Sequence, residues 1–159
     1  MRRLLLATWL LLALVCCPRH AHAASTGGTL IASTAITSSG NTTVTTLKTI
    51  TSLEVRVFVT TVSGTTPQMD LWLESCADST GSNCAPILAT TVSKDPTTIT
   101  ASNPTVTTNA RDIVDAKTST TSEMFTAFYQ TLPSSYIRAR YIVSGTTPSF
   151  TTAAYYQAK

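Results

Sequence analysis

A period of two in apolar and polar side chains runs through residues 53–62, broken only near Thr60-Thr61. Leu53, Val55, Val57 and Val59 interleave with Glu54, Arg56, Phe58 and Thr60, the period of two that a half-buried strand requires. Ser63-Gly64-Thr65-Thr66-Pro67 follows as a turn. Residues 68–75 then alternate again, with Met69, Leu71 and Leu73 against Asp70, Trp72 and Glu74. Read as a hairpin, the two runs pair Val59 with Leu71 and Val57 with Leu73 on a wholly apolar face. The other face pairs Thr60 with Asp70, Phe58 with Trp72 and Arg56 with Glu74. A one-residue slip would mix the faces, so the register is strongly specified. It predicts that Phe58 and Trp72 lie on a solvent-facing or interface surface.

The turn recurs. Val62-Ser63-Gly64-Thr65-Thr66-Pro67 is identical to Val143-Ser144-Gly145-Thr146-Thr147-Pro148, 81 residues later. Glycine supplies permissive backbone angles and proline cannot donate to a ladder, so the segment has turn chemistry. Strand patterns at 136–143 and 149–157 flank the second copy. Two pseudo-equivalent hairpins at one end of the molecule are predicted. Val62 and Val143 differ in parity relative to their apolar faces, and a β-bulge near Thr60-Thr61 reconciles them. Further strands are predicted at 29–36, 42–47, 87–92, 105–108 and 123–130. Residues 94–104 contain two prolines and read as loop. Residues 109–117 read as one short helix, with Asn109 as its cap and Ala110, Ile113 and Val114 on one side. The expected fold is all-β: a single-domain antiparallel β-sandwich, jelly-roll or Ig-like, of about 7–9 short strands.

Composition supports this class. The 159 residues include 33 Thr and 17 Ser, and only 12% are charged. A coiled coil needs denser charge, and a charged disordered tail needs less apolar content than the 43% found here. Threonine is β-branched and suits a pleated, half-buried surface.

The N-terminus reads as a secretory signal peptide over 1–23. Arg2 and Arg3 precede an uncharged run over 4–17, and Ala21-His22-Ala23 offers a cleavage site before Ala24. The run is too short for a comfortable membrane span. A working domain over 24–159 then holds eight Lys and Arg against eight Asp and Glu, and no His. Neutral overall, it has no basic surplus to attract nucleic acid or an anionic membrane. Cys76 and Cys84 bracket a short polar loop, and in an oxidising compartment an even pair predicts a disulfide. A secreted or cell-surface location follows.

Candidate chemistry is sparse. Without His, and with both cysteines bonded, the usual nucleophile–base arrangements are missing. Two Cys without His make a poor zinc site. The loop 78–83 lacks calcium-loop spacing and its closing Glu. No enzyme activity, cofactor or metal is expected. Asn41-Thr42-Thr43 is a glycosylation sequon, meaningful in a eukaryotic secretory host. The aromatic residues Phe58 and Trp72, and Tyr136, Tyr141, Tyr155 and Tyr156 near the C-terminus, are candidates for a sugar-binding platform or a subunit interface. Arg138 and Arg140 share a strand face and are expected to pair with acidic groups of a neighbouring subunit.

One resemblance extends over most of the region 24–159. It is carried by Gly28-Thr29-Leu30-Ile31-Ala32-Ser33, Ser39-Gly40-Asn41-Thr42-Thr43, Leu53-Glu54-Val55-Arg56-Val57 and Leu73-Glu74-Ser75. Tyr136-Ile137-Arg138-Ala139-Arg140-Tyr141 and the doubled Val-Ser-Gly-Thr-Thr-Pro segment, its second copy followed by Ser149-Phe150-Thr151, complete it. The pattern resembles small all-β virion-associated structural proteins of tailed phages. The resemblance implies a structural domain on a particle surface, with no catalytic residues. This chain departs from the pattern in its signal peptide, its cysteine pair and a longer Pro- and Thr-rich segment over 94–122. The expectation is an exported, non-enzymatic structural subunit that associates with itself or with another surface or virion protein. The alternative is a carbohydrate-binding or adhesion module using exposed aromatics.

Overall fold

The alternating segment that begins at Leu53 does not turn back on itself. In the computed structural model, which describes residues 26–48, 50–96 and 105–159, it continues as one 24-residue strand, β4 (Leu53–Cys76). A second long strand, β10 (Tyr136–Ala158), runs antiparallel beside it from end to end. The other strands are β1 (Thr26–Ile36), β2 (Gly40–Asn41), β3 (Thr45–Thr46), β5 (Ala85–Pro86), β6 (Ala89–Pro96), β7 (Thr105–Ala110), β8 (Asp112–Lys117) and β9 (Glu123–Tyr129). The signal peptide predicted over 1–23 lies outside the described residues.

The predicted hairpin register is therefore overturned. Val59 faces Thr152 and Leu71 faces Tyr141, not each other. The two identical six-residue segments are matched kinks that cross one another, with Val62 opposite Phe150, Ser63 opposite Ser149 and Thr65 opposite Thr146. Their backbones mirror one another: Gly64 and Gly145 have φ of 114° and 111°, and Thr66 and Thr147 have φ of 48° and 49°. A Cβ on Gly64 would stand 2.7 Å from the Thr147 carbonyl oxygen, and one on Gly145 would stand 2.6 Å from that of Thr66. Glycine is needed at both positions for its positive φ and for this close approach. The bulge expected near Thr60-Thr61 is present. Thr61 pairs with Thr151 and Val59 with Thr152, so Thr60 is the extra residue.

The kink divides the long pair into two halves. The first half of β4 and the last half of β10 lie in the strand order β1-β10-β4-β9-β6-β7. The second half of β4 pairs with β5 and β8, and the first half of β10 pairs with β2 and β3. The strand pairings are antiparallel, and the all-β expectation holds. The sandwich expectation named two sheets, whereas these ladders join all ten strands in one. Two of the strands are also far longer than the short strands expected.

Residues 109–117 form no helix. Asp112–Lys117 is β8, with Val114 opposite Leu71 and Asp112 opposite Trp72. Ile113 and Val114 are β-branched and buried. Asn109 and Ala116, with φ of 53° and 46°, interrupt any helical run. Of the loop predicted over 94–104, Lys94, Asp95 and Pro96 instead pair with β9, and 97–104 lie outside the described residues.

Inward-facing residues of both halves share one core. It takes in Val55, Val57 and Val59 before the kink, Met69, Leu71 and Leu73 after it, and Phe125, Ile137 and Phe150 from neighbouring strands. Thr152 and Met69 touch across the kink, Oγ1 to Sδ 3.9 Å.

Candidate functional site

Two features of the sheet have chemistry beyond core packing: a charged cluster on the second half, and the exposed face and edges of the first. The cluster is built on alternation. Trp72 and Glu74 leave the same side of β4, and Arg140 and Arg138 stand opposite them on β10. Glu74 is buried and pairs with Arg138, Nε to Oε2 2.7 Å, and more loosely with Arg140 at 3.8 Å. Trp72 Nε1 donates to Glu74 Oε1 at 3.4 Å. The indole has only 5% of its surface exposed. The Arg111 guanidinium covers it at 4.8 Å from the ring centre and Arg140 approaches at 5.9 Å. Arg111 is held in turn by a bidentate bond to Asp112, 2.9 and 2.8 Å.

Two sequence expectations are corrected here. Trp72 is not an exposed partner of Phe58, because Arg140 of β10 and Arg111, between β7 and β8, roof its ring. Arg138 and Arg140 find their acidic partner within the chain, at Glu74. Glu74 and Arg111 were missed as members of this cluster. Glu74 lies 64 residues from Arg138, and no local pattern joins them.

The Cys76–Cys84 disulfide forms as expected, with S–S 2.06 Å. Within its loop the Asp78 carboxylate accepts from Thr80 Oγ1 at 2.6 Å and from the Thr80 N–H at 2.8 Å. The Thr80 hydroxyl and then the Ser82 N–H lower the Asp78 pKa. Arg138 Nη1 reaches the Gly81 carbonyl at 3.4 Å, tying this loop to the cluster.

On the first half, Phe58 and Tyr155 meet edge to face, ring centres 6.1 Å apart. Their outward row continues into β9, where Met124 faces Phe58 and Phe128 faces Glu54. Tyr155 and Phe128 are 44% and 43% exposed. Phe128 was missed, because β9 is apolar on both sides and its alternation does not reveal which side is outward. Tyr136, Tyr141 and Tyr156 are half-buried. Tyr156 packs over Gly28 and Tyr141 over Gly40, at contacts a Cβ would crowd. The structure thus gathers Phe58 with Tyr155 and leaves the other tyrosines apart from them.

A second ion-pair group lies on the inward side. Lys94 and Lys117 each approach Glu123 at 2.9 Å. The Lys117 side chain is 1% exposed, and its Nζ also donates to the Thr121 carbonyl at 2.7 Å. Burial alone would raise the Glu123 pKa, but the two lysines outweigh it and leave the pKa lowered.

Among the described residues the strand path of the first half ends at β1 and β7, while β2 and β3 on one side and β5 and β8 on the other border the second half. Neither β1 nor β7 contains a charged residue or a proline. Val106, on β7, is 57% exposed. Among the described residues no group of three or more His, Cys, Asp or Glu could hold a metal ion, and no helix is long and apolar enough to cross a membrane. The fold and these surfaces define an all-β, antiparallel, disulfide-closed protein. No family model, curated protein or solved structure matches the chain.

Proposed function

We propose that this chain is an exported, non-enzymatic structural subunit that assembles with copies of itself through the edges of its sheet. The observation that carries the reading is the pair of path-end strands that lack charge and proline, although β1 is irregular between Thr29 and Thr34. Edge strands display unpaired N–H and C=O groups, and soluble monomers blunt them with lysine, proline or other charges. β1 has eleven residues and β7 six, with none of these guards in either. A β1 edge joined to the β7 edge of the next copy is a head-to-tail contact, which builds open filaments or rings. The export signal and the disulfide favour a surface or extracellular setting. The resemblance to tailed-phage virion proteins fits the same reading, as a particle-surface domain redeployed outside the cell.

Six of the eight acidic residues of the region are engaged in ways that support a non-enzymatic role. Glu54, Glu74, Asp112 and Glu123 are bound in ion pairs, Asp70 accepts the Ala116 N–H, and Asp78 holds its own loop. The test places a charge on each edge. Thr29→Lys and Val106→Lys are expected to abolish assembly while leaving the thermal midpoint within a few degrees of the parent. Ser79→Lys, which adds the same charge at the disulfide loop, is expected to leave assembly intact. Equal assembly by all three variants overturns the reading.

A further inference from the structure

We propose that the groove around Phe128 binds a neutral oligosaccharide. The ladders align Gln157, Glu54, Phe128 and Thr91 in one outward row across four neighbouring strands. At about 4.8 Å per strand the row spans about 14 Å. It borders a cavity of about 400 Å³, with Gln130 and Lys159 at the strand ends beside it, and ligand sites begin at about this size. Backbone bonds from Ser52 and Lys159 to each other, N to O 3.0 and 2.9 Å, fasten that end of the groove.

The lining selects the ligand. An exposed phenyl ring offers an apolar face but no hydrogen bonds, so it suits the C–H face of a pyranose. The Glu54 carboxylate and the Thr91 hydroxyl beside it accept and donate along the edges where sugar hydroxyls lie. Glu54 is bound to Arg56, Nε to Oε1 2.5 Å, which holds the carboxylate in place and offsets its charge. The lining sets one cation, Lys159, against one carboxylate, Glu54, and this balance gives little net attraction for phosphates or nucleic acid. This groove differs from the platform expected around Trp72, whose ring is covered.

The test uses the full exported chain against an immobilised panel of neutral and anionic oligosaccharides, followed by titration with the strongest neutral hit. Phe128→Ala is expected to weaken that binding by about tenfold or more, and Phe128→Tyr to restore it. Tyr155→Ala removes an exposed ring outside the groove and is expected to leave affinity unchanged. Circular dichroism and sedimentation of each variant accompany the titration. The proposal is overturned if no neutral oligosaccharide binds or if only anionic ones do. It is also overturned if Phe128→Ala leaves affinity unchanged, or if that variant alters assembly size in place of glycan affinity. The last result would leave the edge-assembly reading standing.

Discussion

Trp72 shows how far a single side chain's setting depends on distant sequence. Its place in the alternation marks it as outward on its strand, and outward usually means solvent. Arg111 and Arg140 reverse that by covering the ring. Neither partner is readable from the segment around Trp72, because Arg140 arrives on β10 and Arg111 in the bend before β8, both distant in sequence. Glu123 raises the matching question of charge. Its pKa is lowered in the folded chain, so it contributes stability above its ordinary value near 4.5, lost as pH falls through the lower folded value. Glu123→Gln is expected to cost about 3 kcal/mol at neutral pH, since it strips the buried Lys117 of its counter-charge. Urea titrations from pH 7 down to pH 3 should show the gap between variant and parent narrowing toward acid. Tyr129 is the opposite case. Its hydroxyl is buried, has no hydrogen-bond partner among the described residues, and burial raises its pKa. Tyr129→Phe should therefore leave stability unchanged or raise it by about 1 kcal/mol, read by thermal unfolding. A clear loss would mean that the hydroxyl has a partner.

The long strands β4 and β10 are the elements where sequence and structure diverge most usefully. Val-Ser-Gly-Thr-Thr-Pro has the composition of a turn, and both flanks alternate, so a hairpin is the natural local reading. What decides otherwise is non-local. The two copies pair with each other, and each glycine passes against the other copy's backbone. The same residue types that make a turn also make a kink, and only the identity of the partner strand separates the two outcomes. The bulge at Thr60 was legible because parity is a local count. The helix expected over 109–117 failed where β-branched Ile113 and Val114 found a strand partner in β4. The crossing predicts symmetric damage: Gly64→Ala and Gly145→Ala should each cost about 3 kcal/mol, through positive-φ strain and a backbone clash. Equal losses in denaturant midpoint would support a shared role, whereas tolerance of either alanine would contradict it. Reducing the Cys76–Cys84 bridge releases a nine-residue loop and should cost about 2.5 kcal/mol, seen as a lower midpoint in reductant.

For the whole molecule, the all-β class was legible from threonine content and period-two patterning, and the disulfide from the cysteine pair. Strand order was not, because it rests on pairings that span most of the chain. The candidate surfaces were legible in part. Phe58 and Tyr155 come together on the outward face, whereas Trp72 is covered and Phe128 is exposed opposite Glu54. A region with equal numbers of basic and acidic residues has little net repulsion between copies, and the path-end strands β1 and β7 carry neither charge nor proline. Self-assembly through those edges is the central claim. Analytical ultracentrifugation of the purified 24–159 region across a wide concentration range, with electron microscopy of the same samples, tests it most directly. Species growing with concentration, and filaments or rings on the grid, are the predicted result. A single sedimenting monomer at every concentration, with no ordered assemblies, would contradict it.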